Sequence, residues 1–210
     1  MLKKILIALA ALFVVLLIAI AMQPASFEIK RSLKMPVAPD VPFALINDFH
    51  NWEAWSPWEK LDPNLKRSFS GAPSGEGAGY GWVGNDDVGE GRMTITKSVP
   101  SKLIEIKLEF LKPFAATNQT SFTFEPDGDS TTVNWSMKGN NDFMGKAFSL
   151  FMNMDKMVGA DFEKGLTNLK AASEKQAAEK TAEVKTATVA APATPDPAEG
   201  PTPADAPKQP

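Results

Sequence analysis

The chain has 210 residues, a formal net charge of -3 and a sequence pI of about 5.3, so it lacks the basic field that nucleic-acid binding requires. It has no cysteine and a single histidine, which excludes disulfides, thiolate nucleophiles, zinc–thiolate sites and histidine-based metal clusters. The length suits one globular domain with a substantial core, and we expect it to hold neither a metal nor a cofactor.

An uninterrupted apolar segment opens the chain directly after Lys3 and Lys4. Residues Ile5 to Met22 contain no Gly, Pro or charge, and a helix of this length extends about 27 Å, close to the hydrocarbon thickness of a bilayer. We expect residues 1–24 to form a transmembrane anchor. A cleaved signal peptide is the alternative, because Ala19-Ile20-Ala21 offers a small-residue cleavage site. In both cases the lysines stay cytoplasmic and the rest of the chain lies on the other side of the membrane, in a bacterium the periplasm.

A strand and a short helix follow the anchor. Phe27, Ile29 and Leu33 are the apolar residues of the predicted strand. The helix spans Val41 to Phe49, and Asp40 stands before it as a plausible N-cap.

Three of the five tryptophans then fall within seven residues, at Trp52, Trp55 and Trp58. The break at Ser56-Pro57 indicates a second short helix and a turn. Indole is a large apolar group with one hydrogen-bond donor, so such a cluster either packs helices onto a core or lines a cavity. Both uses bury the same side chains, and the sequence leaves the choice open.

From Leu65 onward, the apolar residues follow the two-residue period of β-strands. The predicted strands are Leu65 to Ser70, Gly79 to Val83, Gly91 to Val99, Leu103 to Leu111, Thr117 to Glu125 and Thr131 to Lys138. Apolar and charged residues alternate in the fourth of these, which is typical of a sheet with one face in water. On the last strand, Val133, Trp135 and Met137 should face the core.

The period then becomes helical and predicts one amphipathic helix of more than twenty residues. Its apolar residues are Phe151, Met154, Val158, Phe162 and Leu169. The only surface available to cover this face is the concave side of the sheet. We therefore predict an α+β fold in which a curved antiparallel sheet of about seven strands grips a long C-terminal helix.

The end of the chain changes composition. Residues 171–185 are rich in Ala, Lys and Glu and should form a charged, solvated extension of the helix. Seven of the 17 prolines fall between Pro192 and Pro210, and this composition predicts that residues 186–210 are disordered.

Several stretches of the domain resemble the SRPBCC superfamily, the START-like, helix-grip proteins that include polyketide cyclase and dehydrase-like proteins. The resemblance covers roughly residues 26–170 and is closest to small membrane-anchored bacterial members. It rests on Phe43 to Asp48, Trp55 to Trp58, Gly77 to Trp82, Gly89 to Ile95, Thr131 to Trp135 and Gly159 to Lys170. It implies a cavity between sheet and helix for a hydrophobic small molecule or lipid.

Nine side chains are the candidates for contact with such a ligand: Trp52, Trp55, Trp58, Trp82, Phe110, Trp135, Met137, Phe151 and Met154. Large aromatic rings and flexible thioethers suit an adaptable apolar pocket, although the same residue types also pack ordinary cores. We assign no catalytic residue and expect binding without chemical change. A cyclase-like or hydrolase-like enzyme and an interaction module without a ligand are the alternatives, since fold alone does not determine activity.

Other motifs favour structural roles. Gly79 to Gly84 matches G-x-G-x-x-G, but the chain continues into a strand where a dinucleotide site requires a helix. His50 lies beside a turn without a flanking motif, so we expect it to be structural or to face solvent. Asp86, Asp87 and Glu90 could form an acid pair or a weak cation site, but their location in a turn favours solvation and Asx-type bonds to the backbone. Strand alternation places Arg92 outside the core.

Overall fold

A computed structural model describes residues 1–190, with side chains described through residue 183. The chain divides into two compact units, residues 1–177 and 178–210. The helices are α1 (Leu2–Ala21), α2 (Asp40–Asn47), α3 (Phe143–Phe151), α4 (Met154–Ala190) and two 3₁₀ helices, η1 (Phe49–Ala54) and η2 (Pro57–Lys60). The strands are β1 (Ser26–Met35), β2 (Lys66–Gly71), β3 (Ala78–Val83), β4 (Glu90–Val99), β5 (Leu103–Lys112), β6 (Ala116–Asp127) and β7 (Ser130–Asn140).

The seven strands form one antiparallel sheet in the order β1-β7-β6-β5-β4-β3-β2. Strands β2 to β7 are a meander in which each strand pairs with its sequence neighbour, and β1 joins the edge beside β7. This confirms the predicted α+β helix-grip fold with a long C-terminal helix and short helices after the first strand. Alternation predicted the ends of β2 to β7 to within two residues, because one face of the sheet is covered and the other is wet.

The tryptophan segment is attached to the end of α2 by its indole nitrogens. Trp52 Nε1 donates to Ile46 O at 3.0 Å and Trp55 Nε1 donates to Leu45 O at 3.3 Å. The last carbonyls of a helix have no partner within the helix, so the two indoles satisfy groups that would otherwise be buried without hydrogen bonds. The 3₁₀ helices are thereby held against the concave face of the sheet.

Helix α4 packs its apolar face on that same surface. Phe162, Leu166 and Leu169 are all buried. The Phe162 ring stacks on Trp135 of β7, with ring centroids 4.0 Å apart and an interplanar angle of 7°. Gly165 makes this approach possible, since a Cβ there would lie 2.7 Å from Trp135 Cζ3.

Charged contacts fix the first turns of α4 to the edge strand β1. Arg31 Nη1 lies 3.0 Å from Asp155 Oδ1, and Arg31 Nε lies 2.7 Å from Glu163 Oε1. A Cβ on Gly159 would overlap the Arg31 guanidinium, so glycine lets Arg31 lie across the helix. The arginine holds the pKa of the Asp155 carboxyl below its ordinary value, chiefly through their hydrogen bond.

The continuous helix predicted from Phe151 onward is wrong at its beginning. The helix is interrupted at Met152 and Asn153, which separate α3 from α4. Asn153 Oδ1 accepts a hydrogen bond from Lys156 N at 3.0 Å at the beginning of α4. Phe151 is consequently 81% exposed and Met154 37% exposed. The apolar face that meets the sheet begins at Val158 instead.

Helix α4 continues to Ala190, so residues 171–185 are helical, as are the first five residues of the segment predicted to be disordered. The rest of that segment, residues 191–210, lies outside the described residues. At the other end, α1 is long and apolar enough to cross a membrane, and no other helix within residues 1–190 meets these criteria.

Candidate functional site

A cavity of about 210 Å³ lies between the concave face of the sheet and the first turns of α4. The two 3₁₀ helices and the turn between β3 and β4 complete its wall. Its lining is formed by Trp52, Ser56, Trp58, Glu59, Leu65, Tyr80, Trp82, Asp87, Val88, Met93, Leu108, Phe110, Thr120, Trp135, Met137, Val158, Asp161 and Phe162. Asp87 is exposed, so the cavity reaches the protein surface at the β3–β4 turn.

Six of the nine side chains singled out in the sequence line this cavity: Trp52, Trp58, Trp82, Phe110, Trp135 and Met137. The other three do not. Trp55 is 1% exposed and belongs to the core behind the wall. Phe151 and Met154 lie on the surface, because the break before α4 turns them away from the sheet.

The aromatic rings of the wall contact each other mainly edge to face. Trp58 meets Trp135 with centroids 5.7 Å apart at 88°, and Trp82 meets Phe110 with centroids 6.0 Å apart at 84°. Trp82 Nε1 donates to Val88 O at 3.0 Å, which ties the wall to the β3–β4 turn. These contacts are favourable beyond the area they bury, so the wall is largely preformed.

The glycine at position 91 lets Trp82 take this place. Gly91 lies opposite Trp82 in the pairing of β3 with β4. A Cβ at Gly91 would overlap the Trp82 ring and come within 2.6 Å of Glu109 O. The register of β4 and β5 shifts between Glu90 and Gly91, so the glycine lies at an irregularity of the sheet.

A buried polar network forms one part of the wall. Glu59 is 7% exposed; its Oε1 accepts from Tyr80 Oη at 2.5 Å and its Oε2 accepts from Arg67 Nε at 2.6 Å. Burial, together with the bond to Glu59, raises the pKa of the Tyr80 phenol, which therefore stays protonated. Both carboxylate oxygens of Glu59 therefore accept hydrogen bonds within the network, and the Tyr80 hydroxyl uses its only donor on Glu59.

The remaining charged groups of the lining are both acidic. Asp161 reaches the cavity from α4 and Asp87 from the opposite turn. Within the described chain, no Lys, Arg or His lines the cavity. Trp135 Nε1 has no hydrogen-bond partner among the described residues, although its side chain is buried. The cavity thus combines aromatic walls with an acidic rim, and one of its lining residues, Trp135, carries an indole nitrogen without a partner among the described residues.

The sequence did not single out the polar groups of the wall or several apolar ones. Leu108 and Phe162 could have been found from the sequence. Leu108 lies on the same strand face as Phe110, and Phe162 follows the helical period of the apolar residues. Glu59, Asp87 and Asp161 carried no such signal, because carboxylates in turns and on helices are usually solvated.

The other candidates lie outside the cavity. Arg92 is exposed, as alternation predicted, and pairs with Glu109 of β5 through bonds of 2.9 and 3.0 Å. His50 stacks on Phe69 with centroids 4.0 Å apart, and its Nδ1 lies 2.7 Å from Asp48 Oδ1.

The two remaining sequence motifs belong to β3, β4 and the turn between them. The stretch from Gly79 to Gly84 forms most of β3 and leads into a turn, with no helix after it. Glu90, at the start of β4, pairs with Lys112 at 2.6 Å.

The fold is similar to several solved structures of low sequence identity. The di-domain ARO/CYC StfQ from the steffimycin biosynthetic pathway gives a TM-score of 0.53 at 12% identity, over 73% of this chain and 53% of StfQ. Protein CV1439 from Chromobacterium violaceum gives 0.51 at 13% identity, over 72% and 98% of the two chains. Mll3558 from Rhizobium loti gives 0.50 at 19% identity, over 70% and 96%. At these identities the similarity concerns the fold.

The sequence comparison is more specific. Residues 26–174 match the family described as polyketide cyclase / dehydrase and lipid transport, whereas no curated protein matches significantly. The matched segment exceeds half of the chain and contains every described strand, both 3₁₀ helices and the part of α4 that closes the cavity. With its sheet wrapped around α4 and an apolar space held between them, the chain belongs to the polyketide cyclase/dehydrase and lipid transport family of the SRPBCC superfamily.

Proposed function

We propose that the domain binds a hydrophobic small molecule or lipid in the cavity between the sheet and α4, without changing it chemically. Helix α1 tethers the domain to the membrane, on the extracytoplasmic side. The observation that carries the proposal is a preformed wall of tryptophans, phenylalanines and methionines around a space that opens to the surface. Apolar walls of this kind exclude water and favour apolar ligands.

The size of the cavity limits how the ligand sits. Its volume of about 210 Å³ is below the ~300–1,000 Å³ typical of pockets that enclose drug-sized ligands. A ring or the end of an acyl chain fits inside, and the remainder of a larger ligand extends past the rim at Asp87. Met93 and Met137 line the space, and their flexible side chains allow it to adapt.

The charges of the rim favour some ligands over others. Asp87 and Asp161 face the space without a basic residue beside them in the lining. A fatty-acid carboxylate at the rim would be repelled, whereas a neutral hydroxyl or an amine would be attracted, the amine also by the faces of the tryptophans. We expect alcohols, sterol-like rings or amine-bearing amphiphiles to bind better than fatty acids of the same length.

A matched pair of variants tests the proposal. Leu108→Trp fills the cavity from β5, whereas Leu111→Trp adds the same ring at an exposed position of the same strand. Titration of the full-length protein in detergent micelles with a fluorescent long-chain amine should show saturable binding. Leu108→Trp should weaken it about tenfold or more, a loss of about 1.4 kcal/mol. Leu111→Trp should leave it unchanged. Absence of saturable binding to the parent protein, or equal affinity in both variants, would refute the proposal.

A cyclase-like or hydrolase-like enzyme is the second candidate, and the network of Tyr80, Glu59 and Arg67 is the observation that favours it. Buried acids next to an apolar space are a common feature of catalytic sites. Their hydrogen bonds are mutually satisfied, however, so none of these three groups is free to act as a base on a substrate. Mass spectrometry of compounds that co-purify with the protein separates the candidates: binding returns the molecule unchanged, and catalysis returns a product whose formation stops in Glu59→Gln.

A further inference from the structure

Helix α3 and the residues around it form an exposed apolar surface that the proposed function does not use. None of the nine residues of α3 is buried. The exposed large apolar side chains of this region are Phe114, Phe143, Met144, Phe148, Phe151, Met152, Met154 and Met157, which we call the α3 surface. Phe114, from the β5–β6 connection, joins it through Phe148, with ring centroids 5.9 Å apart. A single domain in water rarely exposes so many neighbouring apolar side chains.

The α3 surface lies at the end of the apolar helix α1. Lys146 Nζ of α3 lies 3.4 Å from Ala21 O, the last residue of α1. The chain just before α3 binds the segment that follows α1: Asn141 N donates to Ala25 O at 2.9 Å and Asn141 Nδ2 donates to Pro24 O at 3.1 Å. When α1 crosses a bilayer, Ala21 stands near its boundary, and these contacts keep α3 at the same level.

We propose that the α3 surface is a membrane-contact site that lies in the headgroup region of the leaflet from which α1 emerges. The occupant is lipid, because the surface is continuous with α1, the segment that itself requires a lipid environment. Phenylalanine and methionine side chains suit the boundary between headgroups and acyl chains. Lys146 and Lys156 lie within the same stretch and suit anionic headgroups. This inference rests on the tether included in the proposed function.

The α3 surface lies close to the cavity along helix α4. Met154, Val158 and Phe162 are spaced by four residues, so they follow one another along one face of α4. Met154 belongs to the α3 surface, and Val158 and Phe162 line the cavity. Met154 therefore lies one helical turn before the first α4 residue of the cavity lining, Val158.

Single cysteines test the inference in the full-length protein, since the chain has none of its own. Phe148→Cys and Phe151→Cys place a fluorescent label in the α3 surface. Asp129→Cys places it in the turn between β6 and β7, at the other end of the strands whose ends adjoin α3. Each protein is reconstituted into vesicles of phosphatidylethanolamine and phosphatidylglycerol. Quenching is then measured with a lipid-attached nitroxide and with iodide in the water.

We expect the labels at positions 148 and 151 to be quenched several-fold more than the label at 129 by the nitroxide, and less by iodide. Iodide quenching equal to that at 129 would overturn the inference. Protection from both quenchers would also overturn it, because a second copy or another protein would then cover the surface. Failure of the protein to float with the vesicles would refute the membrane tether. Flotation with labels that remain exposed to water would refute only the contact site. Phe151 is 81% exposed, so its replacement should leave the fold intact.

Discussion

Single residues decide the chemistry of this cavity more than its shape does. Trp52 and Trp55 are sequence neighbours of the same type, yet only Trp52 contributes to the lining. Both indole nitrogens donate hydrogen bonds to carbonyls of α2, so both residues have a structural role. The sequence alone did not decide between this role and contact with a ligand. Glu59 could not be assigned any role from the sequence, because its hydrogen bonds with Tyr80 and Arg67 form only when η2, β2 and β3 come together. No local pattern predicts that kind of contact.

Glu109, on the solvent-facing side of the sheet, should make the free energy of unfolding depend on pH. Hydrogen bonds from Arg92 and then Lys107 lower its pKa from 4.5 to about 2. A depressed folded-state pKa contributes stability that is complete above the unfolded value and is lost as the pH falls from about 4.5 to about 2. The difference in free energy of unfolding between the parent and Glu109→Gln should therefore be largest at neutral pH and vanish near pH 2. Urea denaturation across this range measures it.

Asp129→Asn is the control for that series, because Asp129 lies in an exposed turn. It removes one carboxylate without disturbing the cluster around Arg92. A stability difference for Glu109→Gln that stays constant with pH would show that the ion pairs do not stabilise the folded sheet.

At the scale of elements, the strands could be predicted and the helical boundary could not. Strands β3 to β7 each have buried residues facing the core, so alternation marks most of the meander directly, whereas all residues of the edge strand β2 are exposed. The break between α3 and α4 occupies only Met152 and Asn153, and an apolar period of three or four continues across it in the sequence. Asn153 as an N-cap was the single local signal. The resulting error displaced Phe151 and Met154 from the cavity to the surface.

Two phenylalanines on either side of this break should respond differently to truncation. Phe162→Ala removes the ring stacked on Trp135 from a position 2% exposed and should cost about 3–5 kcal/mol of the free energy of unfolding. Phe151→Ala removes the same ring from an exposed position and should change it by less than about 0.5 kcal/mol. Chemical denaturation followed by tryptophan fluorescence compares them. Equal losses would mean that α3 and α4 pack on the sheet as one continuous helix.

At the scale of the molecule, an apolar helix and the α+β domain are joined by a short, hydrogen-bonded segment. Four residues separate α1 from β1, and Asn141 binds two of them. The composition of α1 predicted a membrane segment. The basic residues Lys3 and Lys4 predicted that its N-terminal end faces the cytoplasm. The apolar run from Ile5 to Met22 is longer than the roughly 7–15 residues usual in a signal peptide, which favours a retained anchor, whereas Ala19-Ile20-Ala21 keeps cleavage as the alternative.

Topology can be measured in bacterial spheroplasts that produce the full-length chain. Leu2→Cys should react with a membrane-impermeant thiol reagent only after the membrane is opened, because the proposed topology, with Lys3 and Lys4 on the cytoplasmic side, places the N-terminus in the cytoplasm. Asp129→Cys should react in intact spheroplasts. The intact mass should include residues 1–24. A mass that lacks them would identify a signal peptide, and protection of position 129 would place the domain in the cytoplasm.

The position of β1 at the edge of the sheet has a consequence for how the domain folds. Ser26 pairs with Asn140 and Met35 with Thr131, so β1 finds its partner among the described strands, β7, about one hundred residues later in the sequence. Every other pairing in the sheet joins sequence neighbours and can form as the chain is produced. We expect β2 to β7 to assemble first, while β1 remains unpaired at the end of helix α1. Docking of β1 would then bring α1 and α3 together as the last step of folding.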